Sequence, residues 1–142
     1  MSRLVLHLSA EARRTLGLAV ARARHREACG LCLGTVRGTR LHVAAVCVTR
    51  NNSASPTAFS IDAGEWNRGS RLARTLGLAP VAVFHSHPDG SIALSDADRR
   101  GLTRSSLPWL VVASHGGRLR VGLHEREAAP APQPLGRSRG RA

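Results

Sequence analysis

The segment Pro80-Val81-Ala82-Val83-Phe84-His85-Ser86-His87-Pro88 decides the fold of this 142-residue chain, because it joins a short apolar run to two histidines. A wholly apolar run of this length, preceded by a helix-ending glycine at Gly77, is typical of a strand buried inside a sheet. Side chains on a strand repeat every two residues, so His85 and His87 project to the same side of its end. The segment therefore predicts a central strand that carries two converging imidazoles.

Further elements are predicted on both sides of this strand from apolar periodicity, caps and turn residues. Ser9 and Asp62 are the predicted caps of two helices, and the first helix is expected to pack through Leu16, Leu18 and Val20. A third, shorter helix is predicted to start at Ser95. The predicted elements are a strand at Arg3–Leu8, a helix at Ala10–Ala23, a hairpin of Ala28–Val36 and Leu41–Thr49, a short strand at Thr57–Ile61, a helix that ends near Leu76, and two strands at Trp109–Ser114 and Leu119–His124.

The length and composition of the chain predict one folded domain with a basic surface. Residues 1–125 are predicted to fold, and residues 126–142, rich in proline and arginine, are predicted to be a disordered tail. No run approaches the roughly 18 apolar residues of a membrane span, and the start resembles no export signal, so we expect a soluble, cytoplasmic protein without a membrane partner.

The formal net charge is +12, and all 21 basic residues are arginines. They are scattered along the chain and aromatic stacking residues are scarce, which argues against nucleic-acid binding. The positive electrostatic field of the arginines would still favour an acidic protein partner. The cysteines Cys29, Cys32 and Cys47 are odd in number, so we expect buried, reduced thiols. Cys29 and Cys32 lie three apart on a predicted strand and therefore face opposite sides, which argues against joint metal binding.

The two converging histidines predict a metal site once other residues are added. Asp98, in the first turn of the third helix, is a candidate oxygen ligand beside His85 and His87, and three protein ligands leave a zinc position open for water. Hydrolysis also needs a base, for which Glu27 at the mouth of the first hairpin strand is the candidate. Ser95 is a candidate hydrogen-bond donor to a developing oxyanion.

Simpler interpretations of the same residues stay open. The pattern Ser95-x-x-Asp98 also fits a capping box, in which each residue bonds the other's backbone, and the two roles are compatible. An isolated Glu27 would by default be a solvated carboxylate at a strand end. The same ligand set would also accept iron or manganese, although zinc is favoured. The remaining histidines are interpreted as surface or strand residues: His7, His25, His42, His115 and His124.

These residues together resemble the JAMM metallopeptidases of the MPN domain, whose pattern is Glu, then His-x-His-Pro, then Ser-x-x-Asp. The resemblance rests on Glu27, on His85-Ser86-His87-Pro88 and on Ser95-Asp96-Ala97-Asp98, and extends from about Arg3 to His124. It implies an α/β fold, with a mixed β-sheet flanked by helices in a cytidine-deaminase-like architecture. It also implies one catalytic zinc ion bound by His85, His87 and Asp98, with Glu27 as general acid/base and Ser95 stabilising the tetrahedral intermediate.

The resemblance further implies a substrate class. Members of the family cut peptide or isopeptide bonds next to ubiquitin or ubiquitin-like proteins, and this short chain is similar to the small prokaryotic members that act on sulfur-carrier proteins. We therefore expect hydrolysis after the C-terminal glycine of such a carrier, for example with release of cysteine. Two alternatives are a catalytically silent MPN scaffold and a DNA-associated protein of the same fold. The oligomeric state stays open, with a homodimer as one alternative.

Overall fold

The segment that carries the two histidines forms a strand in the interior of a six-stranded mixed sheet. The computed structural model describes residues 3–126, so the predicted disordered tail lies outside the described residues from residue 127 onward. The elements in chain order are β1 (Val5–Leu8), α1 (Ala10–Ala23), β2 (Cys29–Arg37), β3 (Arg40–Thr49), α2 (Ala63–Thr75), β4 (Ala79–Ser86), α3 (Asp96–Leu102), β5 (Trp109–His115) and β6 (Arg118–His124).

The sheet has the strand order β1-β3-β2-β4-β5-β6. Two pairs are parallel, β1 with β3 and β4 with β5, and the other neighbours are antiparallel. The β2–β3 hairpin thus lies between β1 and β4, and its first strand pairs directly with the histidine strand. The predicted α/β fold with a mixed sheet flanked by helices is confirmed.

Two hydrophobic cores lie on opposite faces of the sheet, as the period-two alternation of β2 requires. On one face Cys32 packs with Leu16 of α1. On the other face Leu31 and Leu33 pack with Leu102 of α3 and with residues of α2. A Cβ on Gly69 of α2 would lie 2.6 Å from the Leu31 side chain, so this helix sits directly on the sheet.

Most predicted elements are confirmed to within a residue or two, and both helix caps hold. Ser9 accepts a hydrogen bond from Ala12 N–H and Asp62 accepts one from Glu65 N–H, the arrangement that satisfies free donors at a helix N-terminus. The interpretation of Leu18 is wrong. Its side chain is 50% exposed, because the α1 stripe that faces the sheet runs through Ala12, Leu16 and Ala19. The predicted packing of Leu16 and Val20 is confirmed, since Leu16 is buried and Val20 is partly buried against the same core.

The predicted strand at Thr57–Ile61 is also wrong, because this segment is an irregular loop. Its backbone bonds to the Asn51 side chain instead of to a neighbouring strand. The Asn51 amide group donates to Ala58 O at 3.0 Å and its oxygen accepts from Ser60 N–H at 3.1 Å. A side chain that replaces a strand partner in this way is a common alternative to sheet pairing.

The three cysteines are free and buried within the described residues, which confirms the expectation from their number. None of the helices described between residues 3 and 126 is both long and apolar enough to cross a membrane.

Candidate active site

The two histidines lie where β4 ends, and both side chains are buried. His85 is fully buried and His87 is 9% exposed. The His87 N–H continues the sheet by donating to Val112 O of β5 at 3.0 Å. The two rings meet edge to face with centroids 5.0 Å apart, which confirms that the spacing of two brings the imidazoles together.

Glu27 reaches the histidines because β2 pairs antiparallel with β4, in a register that sets Cys29 opposite His85. Ser86, between the two histidines, binds Ala28, the residue that links Glu27 to β2. Its hydroxyl accepts a hydrogen bond from Ala28 N–H at 2.8 Å, and its own N–H donates to Ala28 O at 2.9 Å. Glu27 is only 6% exposed, so the default interpretation as a solvated strand-end carboxylate is wrong. Ligand atoms of Glu27, His85 and His87 all lie within 4.8 Å of one another.

Asp98 contacts both imidazoles from the first turn of α3. Its Oδ1 lies 3.1 Å from His85 Nε2 and its Oδ2 lies 2.9 Å from His87 Nε2. Asp98 is not part of the group in which the ligand atoms of Glu27, His85 and His87 lie within 4.8 Å of one another. The structure thus brings the three predicted ligands and the predicted base to one place.

Ser95 is the N-cap of α3, and the capping box that the sequence left open is present. Its hydroxyl oxygen accepts from Asp98 N–H at 3.0 Å, while Asp98 Oδ2 accepts from Ser95 N–H at 3.0 Å. The box holds the carboxylate of Asp98 in position against the histidines. Ser95 itself is exposed beside them, and these bonds leave its hydroxyl hydrogen free to donate.

The charges of the site are set by burial and by these contacts. Burial raises the pKa of Glu27 to about 7, against a smaller lowering by His87. Burial lowers the pKa of His85, which favours the neutral ring that a metal ligand requires. Burial would raise the pKa of Asp98, but the adjacent His85 ring and the hydrogen bonds that Asp98 makes with His87 and with Ser95 N–H outweigh it and hold that pKa well below its usual range. The bond to Asp98 raises the pKa of His87.

The donor set fits a zinc ion. Two ligand atoms that are each about 2.0 to 2.1 Å from one tetrahedral zinc stand about 3.3 Å apart, close to the two carboxylate–imidazole distances. His85 Nε2 is buried and has no aligned hydrogen-bond partner among the described residues, although Asp98 Oδ1 is 3.1 Å away. A buried nitrogen and a carboxylate oxygen that are close but misaligned are better suited to share a cation than to bond each other.

His87 is oriented through its second nitrogen. Its Nδ1 lies 3.1 Å from Ser91 O. A carbonyl oxygen only accepts hydrogen bonds, so this contact places the ring hydrogen on Nδ1 and leaves Nε2 as the ligand atom. Such backing of a ligating histidine by a carbonyl is usual in metal sites. His85 Nδ1, by contrast, has no partner among residues 3–126.

An aromatic wall covers His85. Phe59, from the loop that was predicted to be a strand, stacks on the His85 ring with centroids 4.4 Å apart and an interplanar angle of 16°. Trp109 at the start of β5 meets the same ring edge-on at 5.3 Å. These contacts fix the ring plane of His85 and keep water from its buried side.

Sequence reasoning missed four residues that support the site: Ser86, Ser91, Asn51 and Phe59. Asn51 is the most important of the four, because its side chain also donates to Glu27 O at 2.9 Å and so connects the Thr57–Ile61 loop to the candidate base. Its position in a turn-rich segment directly after a predicted strand was the available signal. The other histidines stay outside the site, and only His124 approaches it indirectly, through a bond of 2.8 Å between its Nε2 and Ile92 O.

Comparison with known protein families finds one match over nearly all the described residues. The model of the family described as prokaryotic homologs of the JAB domain matches residues 4–126. None of the curated proteins matches the chain.

Two solved structures are similar to this one over most of both chains. Protein DSY2949 from Desulfitobacterium hafniense is 25% identical, with a TM-score of 0.74, over 87% of this chain and 92% of that chain. A protein from Salinibacter ruber is 26% identical, with a TM-score of 0.59, over 90% and 92% of the two chains. Both structures were determined in solution.

Proposed function

Because this chain belongs to the family of prokaryotic homologues of the JAB domain, we propose that it is a zinc-dependent peptidase whose site is formed by Glu27, His85, His87, Ser95 and Asp98. Membership in this family is consistent with hydrolase activity. The observation that carries the proposal is the meeting of two buried imidazoles, a carboxylate fixed by a capping box and a second, buried carboxylate at one end of the sheet. A scaffold without catalysis has no need to bury this set of ionisable groups.

In the proposed mechanism His85, His87 and Asp98 would hold the metal ion. Zinc bound there would lower the pKa of water to about 7 and polarise a substrate carbonyl. His87 is kept in the ligating tautomer by Ser91 O, and the ring of His85 is kept in place by Phe59. The capping box keeps Asp98 aimed at both rings, and the adjacent His85 and His87 are the main groups that lower its pKa.

Glu27 is the proposed general base and acid. Its carboxylate takes a proton from the attacking water and returns it to the leaving amine, so the carboxylate is regenerated in each cycle. Its buried position beside His87 is suited to both transfers, since burial raises the pKa of Glu27 towards neutral pH in the metal-free protein. The free hydroxyl hydrogen of Ser95 is the proposed donor to the oxygen that gains charge as the carbonyl is attacked.

The proposed substrate is the C-terminal tail of a ubiquitin-like or sulfur-carrier protein, cut after its last glycine, for example with release of cysteine. Two points support this class. The loop that begins at Asn51 bonds to Glu27 O and the segment at Ser91 bonds to His87, so both border the site, and an extended tail of small residues is suited to bind beside such irregular segments. The chain is also strongly basic, which favours approach by an acidic carrier.

The test is release of a C-terminal adduct from the host's ubiquitin-like sulfur carriers, followed by mass spectrometry, with zinc content measured in parallel. We expect turnover by the wild type, and none by Glu27→Gln although it retains zinc. Asp98→Asn should lose zinc. Its matched control is Asp96→Asn, which removes a carboxylate that is 88% exposed in the same helical turn and should keep both zinc and activity.

Three outcomes would contradict parts of the proposal. Loss of zinc in Glu27→Gln would make Glu27 a ligand and not the base. Zinc retained by Asp98→Asn would remove Asp98 from the ligand set. Zinc bound by the wild type without cleavage of any carrier would contradict the proposed substrate and favour another peptide or the silent scaffold.

A further inference from the structure

A second concave surface lies at the end of the sheet opposite the histidines. It is a cavity of about 540 Å³, a volume in the range of small-ligand sites. Leu8 is the single aliphatic residue in its lining, and no lining residue is acidic. The six residues that line the cavity are His7, Leu8, Thr35, Arg37, Arg40 and His42.

Strand register builds this cavity from three neighbouring strands. His42 of β3 is paired with His7 of β1 on one side and with Thr35 of β2 on the other. Arg37 and Arg40 are also register partners across the β2–β3 hairpin. Cross-strand partners project to the same face, so two arginines and two histidines share one patch of sheet.

The patch lies on the sheet face that carries α2, beyond the end of that helix. Leu31, Leu33, Thr35 and Arg37 alternate on β2 and therefore point to the same face, and α2 packs on the first of them. The chain leaves α2 and enters β4 at Ala79, which pairs with Gly34. Beyond Gly34 none of the helices described in residues 3–126 covers this face, so the side chains of Arg37, Arg40, His7 and His42 are exposed.

The chemistry of the cavity selects an anionic occupant. Two guanidinium groups, each able to hold a carboxylate through paired N–H donors, stand beside two imidazoles and a threonine hydroxyl. The tail of this chain does not complement them, because the sequence after Glu127 has three arginines and no acidic side chain. Nucleic acid is less favoured as the occupant, since no Phe, Tyr or Trp lines the cavity for base stacking. The basic residues also form one local patch and not a continuous groove that could follow a nucleic-acid backbone.

We propose that this cavity, formed by β1, β2 and β3, is a docking site for an acidic segment of a partner protein. The strand β2 extends from the active site to the cavity, a span of about 26 Å for eight residue steps of roughly 3.3 Å. A folded partner that docks here over α2 would have its extended tail directed towards Glu27. The partner is then the substrate protein itself. This assignment of the partner rests on the proposed function, whereas the existence of the docking site is independent of it.

The test measures binding without turnover. A fluorescein-labelled peptide of eight Asp and Glu residues is titrated with the full chain, and anisotropy is followed at low and at physiological salt. We expect saturable binding that weakens about tenfold, or about 1.4 kcal/mol, in the double variant Arg37→Gln/Arg40→Gln. Arg37→Lys/Arg40→Lys should recover part of the affinity, because it restores charge but not the paired donors.

The matched control is Arg13→Gln/Arg14→Gln. It removes the same charge from exposed positions on α1, on the opposite face of the sheet, and should change the affinity less than twofold. Circular dichroism checks that each variant is folded; if Arg37→Gln/Arg40→Gln is not, Thr35→Glu replaces it and should weaken the peptide equally.

Two results would overturn the proposal. Equal weakening in both double variants would mean that the peptide senses only the net charge of +12. Tighter binding of a short DNA duplex than of the peptide, lost selectively in Arg37→Gln/Arg40→Gln, would assign the cavity to nucleic acid. Either result leaves the proposed peptidase intact, because the zinc and cleavage tests do not use these residues.

Discussion

The metal-free protein should become less stable as the pH rises from mildly acidic values to neutrality, because of one buried carboxylate. Burial raises the pKa of Glu27 from an ordinary 4.5 to about 7. A carboxyl group whose pKa is higher in the folded state does not change the free energy of unfolding while it is protonated in both states. It lowers that free energy increasingly as the pH rises from the unfolded-state pKa to the folded-state pKa. The window of lost stability is therefore about pH 4.5 to 7.

The size of the effect follows from the shift. A difference of about 2.5 pKa units, at 1.36 kcal/mol each, corresponds to about 3 kcal/mol of unfolding free energy. The substitution Glu27→Gln removes the ionisation and keeps the shape of the side chain. Between pH 4.5 and 8 the wild type should lose about 3 kcal/mol more than the variant, while groups common to both proteins cancel in the comparison.

The measurement is urea denaturation of chelator-treated protein, followed by tryptophan fluorescence at intervals across this pH range. Glu11→Gln, which removes an exposed carboxylate on α1, is the control and should follow the wild-type profile. A bound cation would favour the ionised carboxylate, so added zinc should flatten the wild-type profile. Wild type and Glu27→Gln profiles that run parallel within about 0.5 kcal/mol would refute the reasoning that burial governs this group.

Three further predictions follow from packing and hydrogen bonds. Gly30→Ala should destabilise the protein by at least about 2 kcal/mol in urea, because the new Cβ would lie 2.6 Å from the Phe84 ring. Gly17→Ala, with open space around it in α1, should instead stabilise by about 0.5 to 1 kcal/mol, and the opposite ranking would contradict the packing of the hairpin. Asn51→Ala removes four hydrogen bonds and should cost about 2 to 3 kcal/mol and lower cleavage; an unchanged protein would mean that the loop is held otherwise. Thiol titration should find three groups that react slowly until the protein is denatured, whereas fewer than three after denaturation would indicate a disulfide, in contradiction to buried free cysteines at Cys29, Cys32 and Cys47.

Local signals in the sequence sufficed for most elements. The apolar run before His85 predicted an interior strand, and the caps Ser9 and Asp62 predicted the helix starts, because these depend on neighbouring residues alone. The same is true of the capping box, whose members Ser95 and Asp98 lie three positions apart. The loop at Thr57–Ile61 was mispredicted because the side chain of Asn51, which precedes the segment, binds its backbone, and the apolar pattern within the segment does not report such a competitor.

By itself the sequence determined the identity and spacing of the chemically active groups: two imidazoles two residues apart, and a serine and an aspartate one helical turn apart. The tertiary structure alone decided that they meet. The β2–β4 register brings Glu27 to within 4.8 Å of the histidines across 58 residues of chain, and Phe59 reaches His85 from an irregular loop. Burial of Glu27, and with it the raised pKa, likewise depends on packing between segments distant in sequence, which no spacing along the chain encodes.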